Sequence, residues 1–241
     1  MYNIVLAAGN SKRFADVGYK KPKFLLKVKN SLMLVKAANS IKNNDNLIFV
    51  MQKKHLAKNP EIKNIIKKKF SNSKIIEIKN VTNGQATSLM KVKNFVTLND
   101  KIFVTASDME FSYDKKIFRE FLREKKNIVF TTKPTVFMKK NPNQFGWISH
   151  NKKGVIKKVS IKKEIKNSKQ EKTVIIGSFF FFKFSNFCNH YKNLLKKNRK
   201  INNEFYIDSI IESMSIDDTV RCLKVKNYTS WGTPIEYEKR R

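Results

Sequence analysis

Tyr2-Asn3-Ile4-Val5-Leu6-Ala7-Ala8-Gly9-Asn10-Ser11-Lys12-Arg13-Phe14 opens the chain, and Gly18-Tyr19-Lys20-Lys21-Pro22-Lys23-Phe24-Leu25-Leu26 follows it. An apolar run breaks at a small-residue turn and gives way to a cationic loop. Arg13 and Lys23 stand ten residues apart around Gly18 and Pro22. This is the make-up of a triphosphate-binding corner at the end of a buried strand. Small residues let backbone N–H groups approach phosphate oxygens, and fixed cations neutralise the charge. The dinucleotide fingerprint G-x-G-x-x-G is absent. Taken alone, the same residues also describe a first core strand followed by a solvated Lys-rich loop.

Working outward, 241 residues suffice for one sizeable core. No stretch of 18 or more apolar residues predicts a membrane span. The start of the chain lacks the charged region, apolar core and cleavage site of a signal peptide. Cys188 and Cys222 have neither disulfide nor zinc spacing, which points to a reducing, cytoplasmic compartment. His55, His150 and His190 show no ligand spacing and read as structural or surface residues. The net charge of +32 raises the question of nucleic acid. The lysines are spread along the whole chain, however, and no zinc finger or RRM signature accompanies them. A basic nucleic-acid-binding protein is therefore kept only as a distant alternative, with no dedicated nucleic-acid partner expected. The charge should attract anionic metabolites.

Strand-like and helix-like segments alternate. Strands are expected at 3–6, 47–51, 75–78, 102–106 and 128–132, with helices at 32–41, 62–70, 85–95 and 114–122. Alternation of this kind predicts a mostly parallel sheet with helices on both faces. The second half reads as longer strands at 146–149, 155–161 and 174–184, helices at 187–195 and 204–214, and a last strand at 220–225. Residues 162–172 form a Lys-rich loop that could cover a site. One α/β domain is expected, with a nucleotide-binding half over 1–135 and an acceptor-binding half over 136–241.

Further blocks carry chemistry. Val104-Thr105-Ala106-Ser107-Asp108 places a carboxylate at the end of an apolar strand, where open α/β sheets bind ligands. An Asp there also serves as an ordinary turn or capping residue. Thr82-Asn83-Gly84-Gln85-Ala86-Thr87-Ser88-Leu89 combines a Gly that lets a base approach with a Gln amide able to read a base edge, and reads equally as a turn before a helix. Later come Gly154-Val155-Ile156-Lys157-Lys158-Val159-Ser160-Ile161-Lys162-Lys163, Val174-Ile175-Ile176-Gly177-Ser178-Phe179-Phe180-Phe181, Asn203-Glu204-Phe205-Tyr206 and Tyr228-Thr229-Ser230-Trp231-Gly232-Thr233-Pro234-Ile235-Glu236.

In that order, these blocks resemble the nucleotidyltransferases that make activated sugars and related phospho-alcohols. The family pattern opens with L-A-A-G-x-G-x-R-[FL] and then P-K-x-L. Ser11 stands here where the second Gly is usual. The Gly18-Tyr19 and Asn203-Glu204-Phe205-Tyr206 elements are similar to a subgroup tied to capsule and lipopolysaccharide synthesis. The resemblance implies a Rossmann-like, glycosyltransferase-A-like fold with a mixed, mostly parallel central sheet and a smaller mixed lobe. It implies Arg13 and Lys23 as catalytic cations and Asp108 as the ligand of Mg²⁺ or Mn²⁺. Nucleotide contacts would come from Leu6, Ala7, Ala8, Gly9, Asn10, Ser11, Gly84, Gln85 and Ser107. Lys162 or Lys163, Gly177 and Glu204 would bind the acceptor. The implied partners are a nucleoside triphosphate and a phosphorylated small molecule.

Many family members carry a second metal-binding Asp where this chain has Ser230. Glu204, Asp208 and Glu110 are the carboxylates considered as replacements, Glu204 first; otherwise Asp108 would hold the ion with water and phosphate oxygens. The expected reaction is transfer of a nucleoside monophosphate to a sugar phosphate. The alternatives are cytidylyl transfer to a non-sugar phosphomonoester such as phosphocholine, or a catalytically silent nucleotide-sugar-binding protein.

Overall fold

The opening apolar run forms the strand Tyr2–Ala7, and its buried residues need partners on both sides. It finds them in two parallel neighbours, Leu47–Gln52 and Ile102–Ala106. Lys74–Ile78 continues the sheet beyond Leu47–Gln52, again in parallel. All six residues of Leu47–Gln52 are buried, the mark of a strand covered on both faces. The computed structural model describes residues 1–42 and 46–241.

Two compact units make up the chain. The first comprises Met1–Thr97, Ile102–Ser112 and Asn227–Arg241; the second comprises Leu98–Lys101 and Tyr113–Lys226. These bounds differ from the halves read off the sequence, because the end of the chain returns to the first unit. There the segment Lys226–Ser230 pairs with Met109–Ser112. Trp231 and Tyr237 then pack with Phe14, Val28 and Met33 in one buried cluster. Tyr19 lies edge-on to both Phe14 and Tyr237, and its hydroxyl donates to Glu238. That hydrogen bond, with burial adding to it, pushes the Tyr19 phenol up to about 12. The cationic loop is thus held at Phe14 and Tyr19 by aromatic packing.

The second unit is built on antiparallel pairs. Glu171–Phe181 lies between Gly146–His150 and Asn127–Thr132, Ile156–Ile161 pairs with Gly146–His150, and Val220–Lys224 joins Asn127–Thr132 in parallel. A register shift between Ile175 and Phe179 falls at Gly177, whose φ of 83° is one that an L side chain rarely adopts. The phenylalanine run packs inward, with Phe180 edge-on to Phe118 and Phe181 against Phe187.

Most strands and helices fall within a residue or two of the expected bounds. The run 85–95 forms a shorter helix, Gln85–Leu89, followed by a single 3₁₀ turn, Met90–Val92. The strand expected at 174–184 is displaced three residues toward the start of the chain. Its end is set by the helix Phe184–Lys196, where the Phe184 and Ser185 N–H groups donate to the Asp100 and Leu98 carbonyls. The loop at 162–172 is not wholly solvated, since Ile165 is buried. No helix among the described residues is long and apolar enough to cross a membrane.

Candidate active site

Four parallel strands of the first unit end on one side, and each hands its next residues to the same edge. After Tyr2–Ala7 come Ala8 to Ser11, after Leu47–Gln52 comes the helix Lys53–Lys58, after Lys74–Ile78 come Thr82 to Gln85, and after Ile102–Ala106 come Ser107 and Asp108. The first strand is flanked by one neighbour that follows it directly in the sheet order and another reached by a return crossover. Ligands of open α/β sheets bind at such a switch point, beyond the carboxyl ends of the strands.

The turn after the first strand is fixed by its neighbour. Gln52 Nε2 donates to the Ala8 carbonyl at 2.5 Å and to Asn10 Oδ1 at 3.2 Å. Lys54 Nζ donates to Asn10 Oδ1 at 3.0 Å, and His55 Nε2 meets the Gly9 carbonyl at 3.3 Å. Burial pushes the His55 imidazole below its ordinary value. Ser11 sits at φ 55°, ψ 30°, in the left-handed region that favours glycine. This accounts for the glycine usual at this place in the family pattern. Ser11 Oγ accepts from the Lys23 N–H at 3.0 Å, a closure glycine could not make.

That closure sets Lys23. Pro22 leads into a 3₁₀ turn, Lys23–Leu25, with Phe24 and Leu25 buried as its anchor. The Lys23 ammonium is thereby delivered to Asp108, with Nζ 2.5 Å from Oδ2. Arg13 lies on the short helix Lys12–Ala15, exposed and without an ion-pair partner among the described residues. Gly84, at φ 105°, precedes the helix Gln85–Leu89, which packs on the first strand. Thr82 Oγ1 bonds the Gly84 carbonyl and the Ser88 hydroxyl, so the turn is braced from within. Gln85 is half-buried and Ser107 buried.

The closing segment completes the arrangement. Asp108 accepts at its carbonyl from the Trp231 N–H at 2.8 Å. A Cβ built on Gly232 would meet Asp108 Oδ2 at 3.1 Å, Ser230 Oγ at 3.5 Å and Glu236 Oε2 at 3.7 Å. Two carboxylates therefore approach the same small space beside Gly232, where an added Cβ would sit tight against Asp108. Ser230 holds its hydroxyl to the Gly232 N–H, and Tyr228 shares a hydrogen bond with Ser230. Burial, with Glu236 and Asp108 adding their charge, drives the Tyr228 phenol well above its ordinary value.

Glu236 was missed by sequence reasoning. It also fills the third position of a helix capped by Thr233, exchanging hydrogen bonds with it, and Arg240 lies 3.7 Å from its other oxygen. Its position three residues after Thr233 signals a capping box, and nothing in the sequence says that the capping carboxylate also approaches Asp108. Among the described residues no group of three or more His, Cys, Asp or Glu is placed to hold a metal. Asp108 and Glu236 are the carboxylates here that could supply hard oxygen ligands to a divalent cation.

Of the other carboxylates weighed from the sequence, Glu110 is ion-paired to Lys36 at 3.1 Å. In the second unit, Glu204 is exposed in a tight turn closed by its backbone bonds to Ile201. Asp208 is buried against Gly146, where no Cβ would fit, and burial pushes its carboxyl up to about 6 while Lys162 acts in the opposite sense. Lys162, in the left-handed region at φ 61°, donates to the Gln144 carbonyl at 2.8 Å and lies 5.2 Å from the Tyr206 ring centroid. Lys163 is exposed. Lys162 is thus the ordered lysine of the two.

A family model for nucleotidyl transferases matches residues 2–225. The chain belongs to the nucleotidyl transferase family. No curated protein sequence matches it. Among solved structures, a nucleoside-diphosphate-sugar pyrophosphorylase from Vibrio cholerae superposes with a TM-score of 0.78 at 16% identity, covering 98% of each chain. A putative glucose-1-phosphate thymidylyltransferase from Bacillus anthracis, in complex with sucrose, gives 0.75 at 18% identity, covering 100% of this chain and 93% of that one. The inositol-1-phosphate CTP transferase from T. maritima gives 0.69 at 17% identity, covering 98% and 90%. At these identities the three share the fold: a mixed α/β, Rossmann-like nucleotidyltransferase architecture whose central sheet is mostly parallel, as the sequence implied.

Proposed function

We propose that the chain transfers a nucleoside monophosphate from a nucleoside triphosphate to a sugar phosphate and releases pyrophosphate. The observation that carries this reading is the Lys23–Asp108 pair at the carboxyl end of the central parallel strands, beside the Ser11 turn. A phosphate monoester is already anionic at neutral pH, so no general base is required. Catalysis then rests on positioning and charge neutralisation. Lys23 neutralises the α-phosphate as the new bond forms. Arg13, exposed on its short helix, takes the β- and γ-phosphates as charge builds on the leaving pyrophosphate. The turn at Ala8 to Ser11 carries the triphosphate, and Gly84, Gln85 and Ser107 contact the nucleoside.

Asp108, joined by Glu236, would hold Mg²⁺ or Mn²⁺, which when bound neutralises charge on the phosphate oxygens. Lys162, with Lys163 as the exposed neighbour, holds the acceptor's phosphate, and Gly177 and Glu204 shape the acceptor's surroundings. A cytoplasmic role in supplying activated sugars for surface polysaccharides fits this chemistry. The test is a turnover screen of four nucleoside triphosphates against sugar phosphates, phosphocholine and inositol phosphates, with pyrophosphate release as the readout. Turnover confined to a sugar phosphate supports the proposal. Turnover confined to phosphocholine, or none with any pair, rejects it.

A further inference from the structure

Two side chains of the neighbouring strand end hold the turn after Tyr2–Ala7 by its carbonyls. Gln52 Nε2 takes the Ala8 carbonyl and His55 Nε2 the Gly9 carbonyl. A carbonyl only accepts, so His55 carries its proton on Nε2. In a trans peptide the C=O and the N–H point to opposite sides, and no peptide among the described residues is cis. Tying down the Ala8 and Gly9 carbonyls therefore turns the Gly9 and Asn10 N–H groups the other way. No backbone carbonyl among the described residues accepts from either N–H. A Cβ built on Gly9 would meet nothing within 4 Å, so the turn borders open space.

His55 also reaches the turn that carries Lys23. Its ring lies edge-on to Phe24, with centroids 5.5 Å apart. Phe24 is buried next to Lys23 in the 3₁₀ turn Lys23–Leu25. His55 is itself buried, so the core holds the ring that makes both contacts. Packing alone would be served by a phenyl ring, without the cost of burying a polar one. One imidazole thus touches the peptide that presents the Asn10 N–H and the anchor of the Lys23 ammonium. We infer that His55 is a positioning residue for nucleotidyl transfer, fixing the Gly9–Asn10 peptide through Nε2 and seating the Lys23 turn through its ring. The inference rests on the proposed function and gives His55 no contact with any substrate.

Two substitutions in the full chain separate the contacts. His55→Phe keeps a ring beside Phe24 and removes the donor. His55→Gln keeps a side-chain N–H at similar reach and removes the ring. Both are checked for folding by circular dichroism and assayed by steady-state pyrophosphate release. The Phe variant should raise the KM for the nucleoside triphosphate roughly fivefold or more, with kcat within about twofold, because a buried carbonyl loses its donor and the peptide it fixed is released. The Gln variant should hold that KM within about twofold and lower kcat roughly tenfold, because a misplaced Lys23 is felt in the transition state. Phe24→Leu removes the ring contact from the other side and should copy the Gln variant, which keeps the test intact where a His55 variant does not fold. Wild-type kinetics in His55→Phe, or KM and kcat changes of the same size in both His55 variants, overturns the inference. A wild type that turns over no substrate pair rejects the proposed function instead. Calorimetric binding of a non-hydrolysable nucleoside triphosphate then judges the positioning role. Binding weakened in the Phe variant and kept in the Gln variant upholds it, and binding equal or absent in all three proteins overturns it.

Discussion

Replacing Asp208 by Asn should stabilise the protein at neutral and alkaline pH and leave it unchanged in acid. Asp208 is 9% exposed, and burial lifts its carboxyl from an ordinary 3.8 to about 6 even with Lys162 opposing the shift. A carboxyl raised in the folded state favours folding while protonated. Between pH 4 and 6 the unfolded chain releases this proton before the folded chain does. The stability contributed by this group therefore falls as pH rises through that window and levels off above it. A shift of about two units is worth about 3 kcal/mol at ~1.4 kcal/mol per unit. Asn has nearly the same shape and never ionises. Urea unfolding followed by circular dichroism from pH 4 to 8 should show the two proteins equal near pH 4. By pH 8 the Asn variant should lead by about 3 kcal/mol. Taking the difference cancels every other titrating group. A difference that stays flat across the range, or that favours the wild type at pH 8, would refute the account of a dry carboxylate at this position.

Three further outcomes are expected at the candidate active site. Lys23→Ala should fold normally and lose roughly 10²–10³ in turnover, the scale seen when one donor to a developing charge is removed; normal turnover in a folded variant removes Lys23 from the mechanism. Pyrophosphate release should require Mg²⁺ or Mn²⁺, and Asp108→Asn should abolish most of it, because a neutral amide is a poor ligand for a hard cation; full activity in excess chelator would sink the metal assignment. Glu236→Gln and Glu204→Gln separate the carboxylates. Direct Mn²⁺ binding measured by electron paramagnetic resonance should weaken in the first and hold in the second, whereas the reverse order would return Glu204 to the metal and leave Glu236 a helix-capping residue alone.

Much of the fold and part of the site were legible in the sequence. Apolar runs of strand length alternating with helical spacing set the parallel sheet of the first unit, because burial on both faces demands continuous hydrophobicity. The small-residue turn after the first strand and the Asp after Ile102–Ala106 could be placed at the carboxyl edge for the same reason: a parallel sheet sends every strand end to one side. Ser11 could be read as the small residue standing where a glycine is usual, while its left-handed backbone is seen only in the structure.

Only the tertiary structure decided which side chains meet. Lys23 and Asp108 lie 85 residues apart, and their 2.5 Å contact depends on a 3₁₀ turn anchored by buried Phe24 and Leu25. Gln52, Lys54 and His55 brace the turn from a neighbouring strand end, and periodicity alone gives no sign of it. Glu236 reads as a helix cap in one dimension and approaches Asp108 only because the closing segment returns to pair with Met109–Ser112 and bury Trp231. Local propensity and hydrophobic pattern are properties of neighbours in the chain, and they specify elements. The convergence of charges on the Gly232 space is a property of packing between distant segments, and only the folded chain specifies it.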